Sequence, residues 1–394
     1  MATFPAAFPA DDGSWSLVET IHQSQPVDVT APYSTANLAG KAILITGGAS
    51  GFGAGFARKW TSHGAHIFIG DLDDAAGEAL VAELRTIPGS SGHQYYQHCD
   101  VTNWLDQVSL FKMAVATSPT GGIDAVVAGA GIVERGDTVN GNIFDHPQGL
   151  DAENPPPPKL KVLAVNLTGV MYTTHLAIFW LKRNGGQKSG EGAESISVAK
   201  DEVLQPPRDR HILLISSIAG VSPLPGQTEY TASKHAVMGL FRTLRGTVWR
   251  QGIRVNVLNP YFVDTPLLPW RGLALLAGGV KAEVDDVVEA GTRLMADHSI
   301  VGRGLVVGPK GRIEVDVGKE DVPGAGVKGQ QAIWEIYAHD YDKVEVFVWR
   351  FVQMLNTLKK VRGWIGTVKD LFQIYRTERA KKSQRAPVKV PARA

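Results

Sequence analysis

Six short apolar runs rich in β-branched residues, most of them separated by stretches with helical periodicity, constrain the fold of this 394-residue chain most strongly. Near-continuous apolar strands that alternate with helices are typical of parallel sheets covered on both faces. The sequence therefore predicts an α/β fold in which a doubly wound parallel sheet carries helices on both faces. The runs cover residues 42–46, 65–70, 123–128, 211–216, 253–258 and 304–308.

Composition and charge exclude several classes of protein. The chain is 44% hydrophobic and 20% charged with a net charge of +1, which is ordinary for a globular protein, and we expect no nucleic-acid partner. Its single cysteine, Cys99, excludes an internal disulfide framework and suits a reducing compartment. The N-terminal residues lack the pattern of a secretory signal, and no apolar run approaches the length of a membrane span. We therefore expect a cytoplasmic protein without a transmembrane segment.

Three regions depart from the alternating pattern. Residues 1–38, rich in Pro and Ala, are predicted to form a loose N-terminal arm, and residues 39–310 to form the domain that contains the sheet. Within that domain, residues 184–210 are polar and contain Gly and Ser, which predicts a surface insertion. Residues 311–394 are predicted to be a C-terminal helical extension with a basic tail.

The C-terminal extension allows two interpretations. From Phe351 onward, apolar residues recur at helical spacing. From Arg350 onward, the sequence contains twelve Lys and Arg residues and two acidic residues, an excess of ten positive charges. Such helices can pack on their own domain or on a sister subunit. Alternatively, a basic amphipathic helix can lie on an anionic membrane surface, which would make the protein peripheral to an intracellular membrane.

A glycine-rich turn follows the first predicted strand and opens the next helix. Gly47 permits a tight turn, Gly51 lets the backbone approach a pyrophosphate, and Gly53 allows close helix packing. The helix N-terminus would supply N–H groups and a positive dipole end to the anion. A glycine turn can also be a plain connection. As a cofactor site, the turn would contribute Gly47, Ser50, Gly51, Phe52 and Gly53.

Acidic and small residues end the next three predicted strands. Asp71, 18 residues beyond Gly53, can accept hydrogen bonds from both adenosine ribose hydroxyls and would repel a 2′-phosphate, so it favours NAD over NADP. Its alternative role is an N-cap of the following helix. Asp100, beside Val101, could lie against an adenine ring or cap a helix. Ala128 and Gly129 are small enough to let a cofactor pass over the sheet edge.

The segment "YTASK" carries the most reactive side chains. Tyr230 and Lys234 stand four residues apart on a predicted helix, hence on one face. A phenol is a poor base at neutral pH, but an ammonium one turn away, reinforced by a nicotinamide cation, would stabilise the phenolate. Ser217, 13 residues before Tyr230 at a strand end, could hold a substrate oxygen. Taken alone, a Tyr–Lys pair at this spacing is common on helix surfaces.

With "ILITGGASGFG", "ISSIAG" and "YTASK" in this order, the chain resembles the short-chain dehydrogenase/reductase family over about residues 38–310. It also resembles the NAD-dependent 15-hydroxyprostaglandin dehydrogenase-like branch of that family, through Gln227 and the segment "PYFVDTPL". The resemblance implies a Rossmann-type fold, NAD as cofactor and a homodimer or homotetramer. It also implies a hydrophobic small-molecule substrate, a secondary alcohol or the matching ketone.

The resemblance also assigns roles to residues. The catalytic set would be Ser217, Tyr230 and Lys234 with Asn166, which in the family holds a water that links the lysine to solvent. Gln227, three residues before Tyr230, would join Ser217 and Tyr230 in binding the substrate hydroxyl.

Further cofactor contacts follow from the resemblance after the sixth strand. Pro260 belongs to the segment that follows this strand in the family, and Val263 and Thr265 would hold the nicotinamide carboxamide. Tyr261 departs from the family's usual glycine. Ala128 and Ala130 replace its Asn-rich motif.

The expected function is hydride transfer between a secondary alcohol and NAD, with Tyr230 exchanging the hydroxyl proton. One alternative is an enzyme of the same fold that isomerises its substrate through a transient ketone. Another is a non-catalytic NAD-binding scaffold or sensor. No metal site is expected, because the histidines include no H-E-x-x-H motif.

Overall fold

The structure is a computed structural model that describes residues 23–134, 144, 147, 149–155, 157–184, 208–222, 224, 226–267, 281–312, 330–336, 354, 357 and 361. The chain divides into two compact units. One unit comprises residues 22–338 and contains the sheet. The other comprises residues 1–21 and 339–394. Of these, Met354, Thr357 and Val361 are described, and all three are helical.

A single eight-stranded sheet organises the larger unit, in the order β3-β2-β1-β4-β5-β6-β7-β8. Strands β1 to β7 are parallel, and β8 pairs with β7 in the antiparallel direction. The chain winds outward from β1 to β3 and then crosses back to β4, so the strand order reverses between β1 and β4. This confirms the doubly wound, Rossmann-type prediction. The strands are β1 Ala42–Thr46, β2 His66–Asp71, β3 Gln94–His98, β4 Ala125–Ala128, β5 His211–Ile215, β6 Arg254–Pro260, β7 Gly304–Arg312 and β8 Gln330–Ile336.

Helices cover both faces of the sheet, because its buried strands present apolar side chains alternately to each side. Ile43 and Ile45 of β1 lie in one core with α1, α2 and α6, and Leu44 lies in a second core with α3, α4 and α5. The helices are α1 Gly51–Thr61, α2 Asp74–Thr86, α3 Trp104–Thr117, α4 Lys161–Leu181, α5 Thr228–Leu244 and α6 Val284–Ala296. Short 3₁₀ helices cover Ala36–Leu38, Ile218–Gly220 and Val248–Gln251.

Helix α4 requires a correction to the membrane expectation. Its 21 residues have a mean hydropathy of 1.5, so by length and composition this helix could cross a membrane. Half of its most apolar window is buried in the protein. Leu176, Ala177 and Leu181 pack in the core on one face of the sheet, which is why the helix is this apolar. The expectation that no apolar run reaches this length is therefore wrong.

The predicted loose N-terminal arm differs from the structure over residues 23–38. The Arg293 guanidinium donates to the backbone oxygens of Asp28 and Ala31 at 3.2 and 2.7 Å and stacks 4.5 Å from the Tyr33 ring centre. Val27 N–H donates to the Glu335 carboxylate at 2.7 Å. These residues are held in place because they satisfy buried charged side chains. Residues 1–22 lie outside the described part.

The domain boundaries predicted at residues 184–210 and 310 also shift. Strand β8 extends the sheet into the region predicted to be a helical extension, and Arg303, which directly precedes β7, forms an ion pair with Glu335 of β8. Asn184 is buried and donates to Asp124 at 2.8 Å. The structure therefore places both ends of the predicted insertion in the packed unit, because Arg208 also pairs with Asp124 at 2.6 Å. Residues 185–207 and almost all of the basic tail lie outside the described residues.

Candidate active site

The carboxyl ends of the parallel strands meet at one edge of the sheet and line a cleft at the reversal of strand order. Gly47 follows β1, Asp71 ends β2, and Asp100 follows β3. Gly129 follows β4 and lies beside the same cleft. Ligands of open α/β sheets bind at such a switch point. Four residues that come from separate strand ends are thus brought together.

Two glycines of the turn, Gly47 and Gly53, leave no space for a side chain. Gly47 has a φ of 69°, and a Cβ on it would lie 2.6 Å from the Cα of Ala130. A Cβ on Gly53 would lie 2.2 Å from the backbone oxygen of Gly47. The N-cap Ser50 makes no side-chain bond to the first turn of α1. The first N–H groups of α1 are therefore suited to an anion such as a pyrophosphate.

The Asp71 carboxylate is fixed by backbone N–H groups. One oxygen accepts from Ala49 in the glycine turn at 2.9 Å, and the other accepts from Leu72 and Asp73 at 2.7 and 3.3 Å. The N-cap of α2 is Asp73, whose carboxylate accepts the Ala76 N–H at 3.0 Å. Asp71 is therefore not the helix cap, and it lines the cleft with its carboxylate oriented by the turn.

Asp100 and Val101 lie on the cleft wall next to Asp71. One Asp100 oxygen accepts from the Thr102 N–H and hydroxyl at 2.8 and 2.7 Å. Helix α3 is capped instead by Asn103, which accepts the Leu105 N–H at 2.9 Å. The alternative role of Asp100 as a helix cap is thus not realised.

Ser217, Tyr230 and Lys234 form a buried cluster beyond the end of β5. The Ser217 hydroxyl is close enough to the Tyr230 phenol to lower its pKa. The Lys234 Nζ lies 5.6 Å from the centre of the Tyr230 ring and donates to the backbone oxygen of Ile215 at 3.1 Å. The three predicted catalytic side chains therefore lie together, and Lys234 bonds to Ile215, which lines the cleft.

Burial sets the protonation of this cluster. It raises the pKa of the Tyr230 phenol, and the neighbouring Ser217 hydroxyl opposes that rise. Burial lowers the pKa of Lys234 to about 8. Among the described residues, no carboxylate forms an ion pair with Lys234. At neutral pH the site thus holds a protonated phenol beside a largely protonated ammonium that has no counter-ion.

Asn166 is fully buried in the middle of α4, where the helix becomes a π-helix over Ala164–Gly169. Its side chain accepts from the Ile132 N–H and donates to the Ile132 oxygen, both at 2.8 Å, and also donates to the Ser233 hydroxyl at 3.2 Å. The side chain thus holds the loop after β4. The resemblance implies a water bound at Asn166. Because the Asn166 side chain is already engaged, such a water would have to bind backbone groups of the π-helical turn, where the usual hydrogen-bond pattern is interrupted.

The remaining predicted residues divide between the cleft and its support. Thr265 lines the cleft. The backbone oxygen of Pro260 accepts a hydrogen bond from the Ser217 hydroxyl at 3.5 Å. Ala128 and Val263 are buried behind the cleft wall. Gln227 bonds through its side chain to the backbone of Glu134.

Several residues at the cleft were missed by the sequence reasoning. Val165 and Lys161 lie four residues apart and so share one helix face, but this is not the face of Asn166, and helical periodicity from Asn166 therefore did not indicate them. Lys161 is the one cation among the described lining residues. The missed residues are Phe56, Leu72, Cys99, Val127, Ala130, Gly131, Ile132, Lys161, Val165, Ile215, Pro266 and Leu267.

Comparisons with known proteins agree with this geometry. A short chain dehydrogenase family model matches residues 41–191 and 204–271. 5'-Hydroxyaverantin dehydrogenase of Dothistroma septosporum is 34% identical over 73% of this chain and 89% of its own length. An NADP-dependent dehydrogenase of Cochliobolus lunatus is 32% identical over 67% of this chain and 87% of its own.

A solved structure extends the comparison. The crystal structure of 3-ketoacyl-(acyl-carrier-protein) reductase from Brucella melitensis, complexed with NADH, is 27% identical with a TM-score of 0.53, covering 68% of this chain and 97% of that one. The fold and site thus define an oxidoreductase whose fold binds a nicotinamide cofactor. The chain belongs to the short-chain dehydrogenase family.

Proposed function

We propose that this protein is an NAD-dependent oxidoreductase that interconverts a secondary alcohol and the matching ketone. The observation that carries the proposal is the buried cluster of Ser217, Tyr230 and Lys234, in which the Lys234 Nζ lies 5.6 Å from the centre of the Tyr230 ring. This cluster lies next to Gly131, which lines the cleft that begins at the glycine turn. A phenol that can exchange a proton beside a nicotinamide site suits alcohol oxidation and ketone reduction.

The residues present fit a bound NAD. The nicotinamide ring, when bound, accepts or delivers the hydride at its C4. The first N–H groups of α1 would hold the pyrophosphate, Asp71 the adenosine ribose, and Lys234 the second ribose. Val263 and Thr265 would hold the carboxamide through backbone and side chain.

The proton steps use the buried cluster. In oxidation, Ser217 orients the substrate oxygen and Tyr230 takes its proton; in reduction, Tyr230 returns the proton to the carbonyl oxygen. The Lys234 ammonium lowers the phenol's pKa by electrostatic attraction, which offsets the rise that burial causes. Asn166 supports the proton path from Lys234 to solvent.

Preference for NAD is supported by the Asp71 carboxylate, which accepts backbone hydrogen bonds on both oxygens and would repel a 2′-phosphate. Leu72, which is 58% exposed beside it, offers no cation. The relative from Cochliobolus lunatus is named NADP-dependent, and a comparison of kcat/KM with NAD and with NADP tests the preference. The same NAD preference underlies the proposed place in the 15-hydroxyprostaglandin dehydrogenase-like branch.

An apolar substrate is supported by the side chains around Tyr230. A hydrophobic cluster contains Val162, Ala219 and Tyr230, and the half-buried Val133 and Leu224 pack against it. Such a surface binds the body of a hydrophobic alcohol or ketone better than a charged metabolite. The relative's activity toward 5'-hydroxyaverantin suggests one compound to test.

The test is turnover of the wild-type protein with NAD on a panel of lipid, steroid, terpenoid and polyketide alcohols and 5'-hydroxyaverantin. We expect NADH to form with at least one hydrophobic secondary alcohol, and the matching ketone to consume NADH. Binding of NADH without turnover of any alcohol or ketone would contradict the proposal and favour a scaffold or sensor.

We also propose that the protein is a cytoplasmic homodimer or homotetramer, as the family resemblance implies. Peripheral membrane contact through the basic tail remains part of this proposal. Liposome co-sedimentation of the full chain would distinguish a tail that binds a membrane surface from a tail that packs on protein. Binding to anionic vesicles that falls with added salt supports membrane contact, whereas no binding supports packing on protein.

A further inference from the structure

The first turn of α5 lacks a cap from its own N-cap residue. Tyr230 is the third residue of this helix, so its backbone N–H has no acceptor within the helix. Gln227 occupies the N-cap position, and its side chain makes no bond to the helix. The helix that carries Tyr230 therefore depends on other parts of the chain for the acceptors at its start.

Glu134, in the loop after β4, provides an acceptor for the start of α5, and its backbone makes two hydrogen bonds with the Gln227 side chain. Its carboxylate accepts the Tyr230 N–H at 3.5 Å. The Gln227 side chain accepts the Glu134 N–H at 3.2 Å and donates to the Glu134 backbone oxygen at 3.1 Å. Glu134 is buried, with 8% of its surface exposed. The two residues thus interlock across 93 positions of the sequence.

Two further contacts close a ring of three segments. Asn166 of α4 makes a matching pair of bonds with the backbone of Ile132, two residues before Glu134. Glu229 of α5 accepts the Leu163 N–H in the first turn of α4 at 2.9 Å. The loop after β4, α4 and α5 are therefore each bonded to the other two. Every one of these bonds uses a polar side chain against a backbone group.

We propose that Glu134 and Gln227 are positioning residues that fix the start of α5, and with it Tyr230, against the loop after β4. The inference rests on the proposed function, since it assumes that Tyr230 exchanges the substrate proton. It changes the expected role of Gln227, whose amide is engaged with Glu134 rather than with a substrate hydroxyl. A small displacement of Tyr230 would lower the turnover rate while leaving the glycine turn and Asp71 intact.

The test compares Glu134→Ala, Glu134→Gln and Gln227→Ala in the NADH-bound protein. Hydrogen–deuterium exchange should show faster exchange of the Tyr230 amide in Glu134→Ala and of the amide at 134 in Gln227→Ala, by about tenfold or more. The Ile132 amide, held by Asn166, should stay protected. Glu134→Gln keeps an oxygen acceptor and should restore protection of Tyr230.

Turnover of the best panel alcohol supplies the second measurement. We expect kcat to fall by about tenfold in Glu134→Ala and Gln227→Ala, with the KM for NAD within about threefold of wild type, and Glu134→Gln to recover most of the loss. Asn103→Ala, which removes a single cap from α3, is the matched control. It should loosen the start of α3 without changing exchange at Glu134 or Tyr230.

Two outcomes would overturn the inference. One is unchanged exchange at residues 134 and 230 in the Ala variants. The other is a Gln227→Ala variant in which only the KM for the alcohol rises, as for a plain substrate contact. If wild-type protein turns over no alcohol or ketone, the proposed function fails, and the exchange data still decide whether Glu134 and Gln227 hold the start of α5.

Discussion

The two ends of the same sheet bury charge in opposite ways. At the carboxyl ends of the strands, the Lys234 ammonium is buried with a backbone oxygen as its acceptor. At the amino ends, Asp209 is equally buried but bonds both Lys41 and Arg254. The amino end thus pairs its buried cations with a carboxylate, whereas the carboxyl end keeps a cation that no carboxylate of the described residues pairs and that is available for a ligand.

The cluster at the amino end, Lys41, Asp209 and Arg254, joins the starts of three strands. The Arg254 guanidinium binds both oxygens of Asp209 at 2.8 and 2.7 Å, and Lys41 donates to the same carboxylate at 2.7 Å. Burial alone would raise the pKa of Asp209, but Arg254 and Lys41 hold it well below its usual range. Lys41 and Arg254 also donate to the Met295 backbone oxygen at the end of α6.

The contrast indicates which end performs the chemistry. A buried charge with all its partners is costly to disturb and contributes to the native structure, whereas a buried charge without a counter-ion is tolerated where function requires it. Substitutions at the amino end should therefore alter stability, and substitutions at the carboxyl end should alter turnover.

The largest expected effect is at the carboxyl end. Tyr230→Phe should lower kcat by about 10³-fold, because the ring remains while the exchangeable proton is lost. NADH binding and the unfolding free energy should stay near wild type. Steady-state kinetics measure kcat, and a fluorescence titration measures NADH binding. Unchanged turnover would contradict the proposed proton step.

The next effect is on stability at the amino end. Asp209→Asn leaves Lys41 and Arg254 buried without their counter-charge, and it should lower the free energy of unfolding by about 3–5 kcal/mol. Denaturant unfolding measures this. The control is Glu83→Gln, which removes a half-exposed partner of Arg58 and should cost under about 1 kcal/mol. Equal losses in the two variants would remove the contrast between buried and exposed pairs.

Lys234→Ala should shift the pH dependence of alcohol oxidation. The ammonium stabilises the phenolate, so without it the pKa of Tyr230 rises and the activity should increase only at higher pH. NAD should also bind about tenfold more weakly, since Lys234 contacts the ribose in the proposed complex. A pH–rate profile identical to wild type would show that Lys234 does not act on the phenol.

The smallest effect concerns cofactor choice. The wild type should prefer NAD over NADP by at least about tenfold in kcat/KM, because the Asp71 carboxylate repels a 2′-phosphate. Asp71→Ala should narrow that ratio. Asp73→Ala is the matched control, since it removes the adjacent helix cap and should leave the ratio unchanged. Equal use of both cofactors by the wild type would refute the role of Asp71.

The fold and the reactive cluster were predictable because their signals are local. Apolar periodicity indicated the strands, the glycine spacing indicated the turn at Gly47, and four-residue spacing put Tyr230 and Lys234 on one helix face. Competing roles for Asp71 and Asp100 could not be separated from sequence, because the choice depended on which neighbouring residue capped each helix. The structure assigns those caps to Asp73 and Asn103.

What the sequence did not reveal depends on contacts between distant segments. The bond between Glu134 and Tyr230 spans 96 positions, and no local pattern marks either partner. Lys41 and Asp209, 168 positions apart, resemble ordinary surface charges when seen beside their strands. Strand β8 was not predicted, because a long connection separates it from β7, its partner in the sheet. A strand at the edge of a sheet also leaves little periodic pattern of apolar residues in the sequence.

The central claim is that this site moves hydride between an alcohol carbon and NAD, and isotope transfer tests it most directly. Wild-type protein would be incubated with NAD and the best panel alcohol carrying deuterium on its carbinol carbon, and the NADH would be analysed by mass spectrometry. We expect NADH that carries one deuterium, in an amount equal to the ketone formed. NADH without deuterium, or ketone formed without NADH, would contradict it.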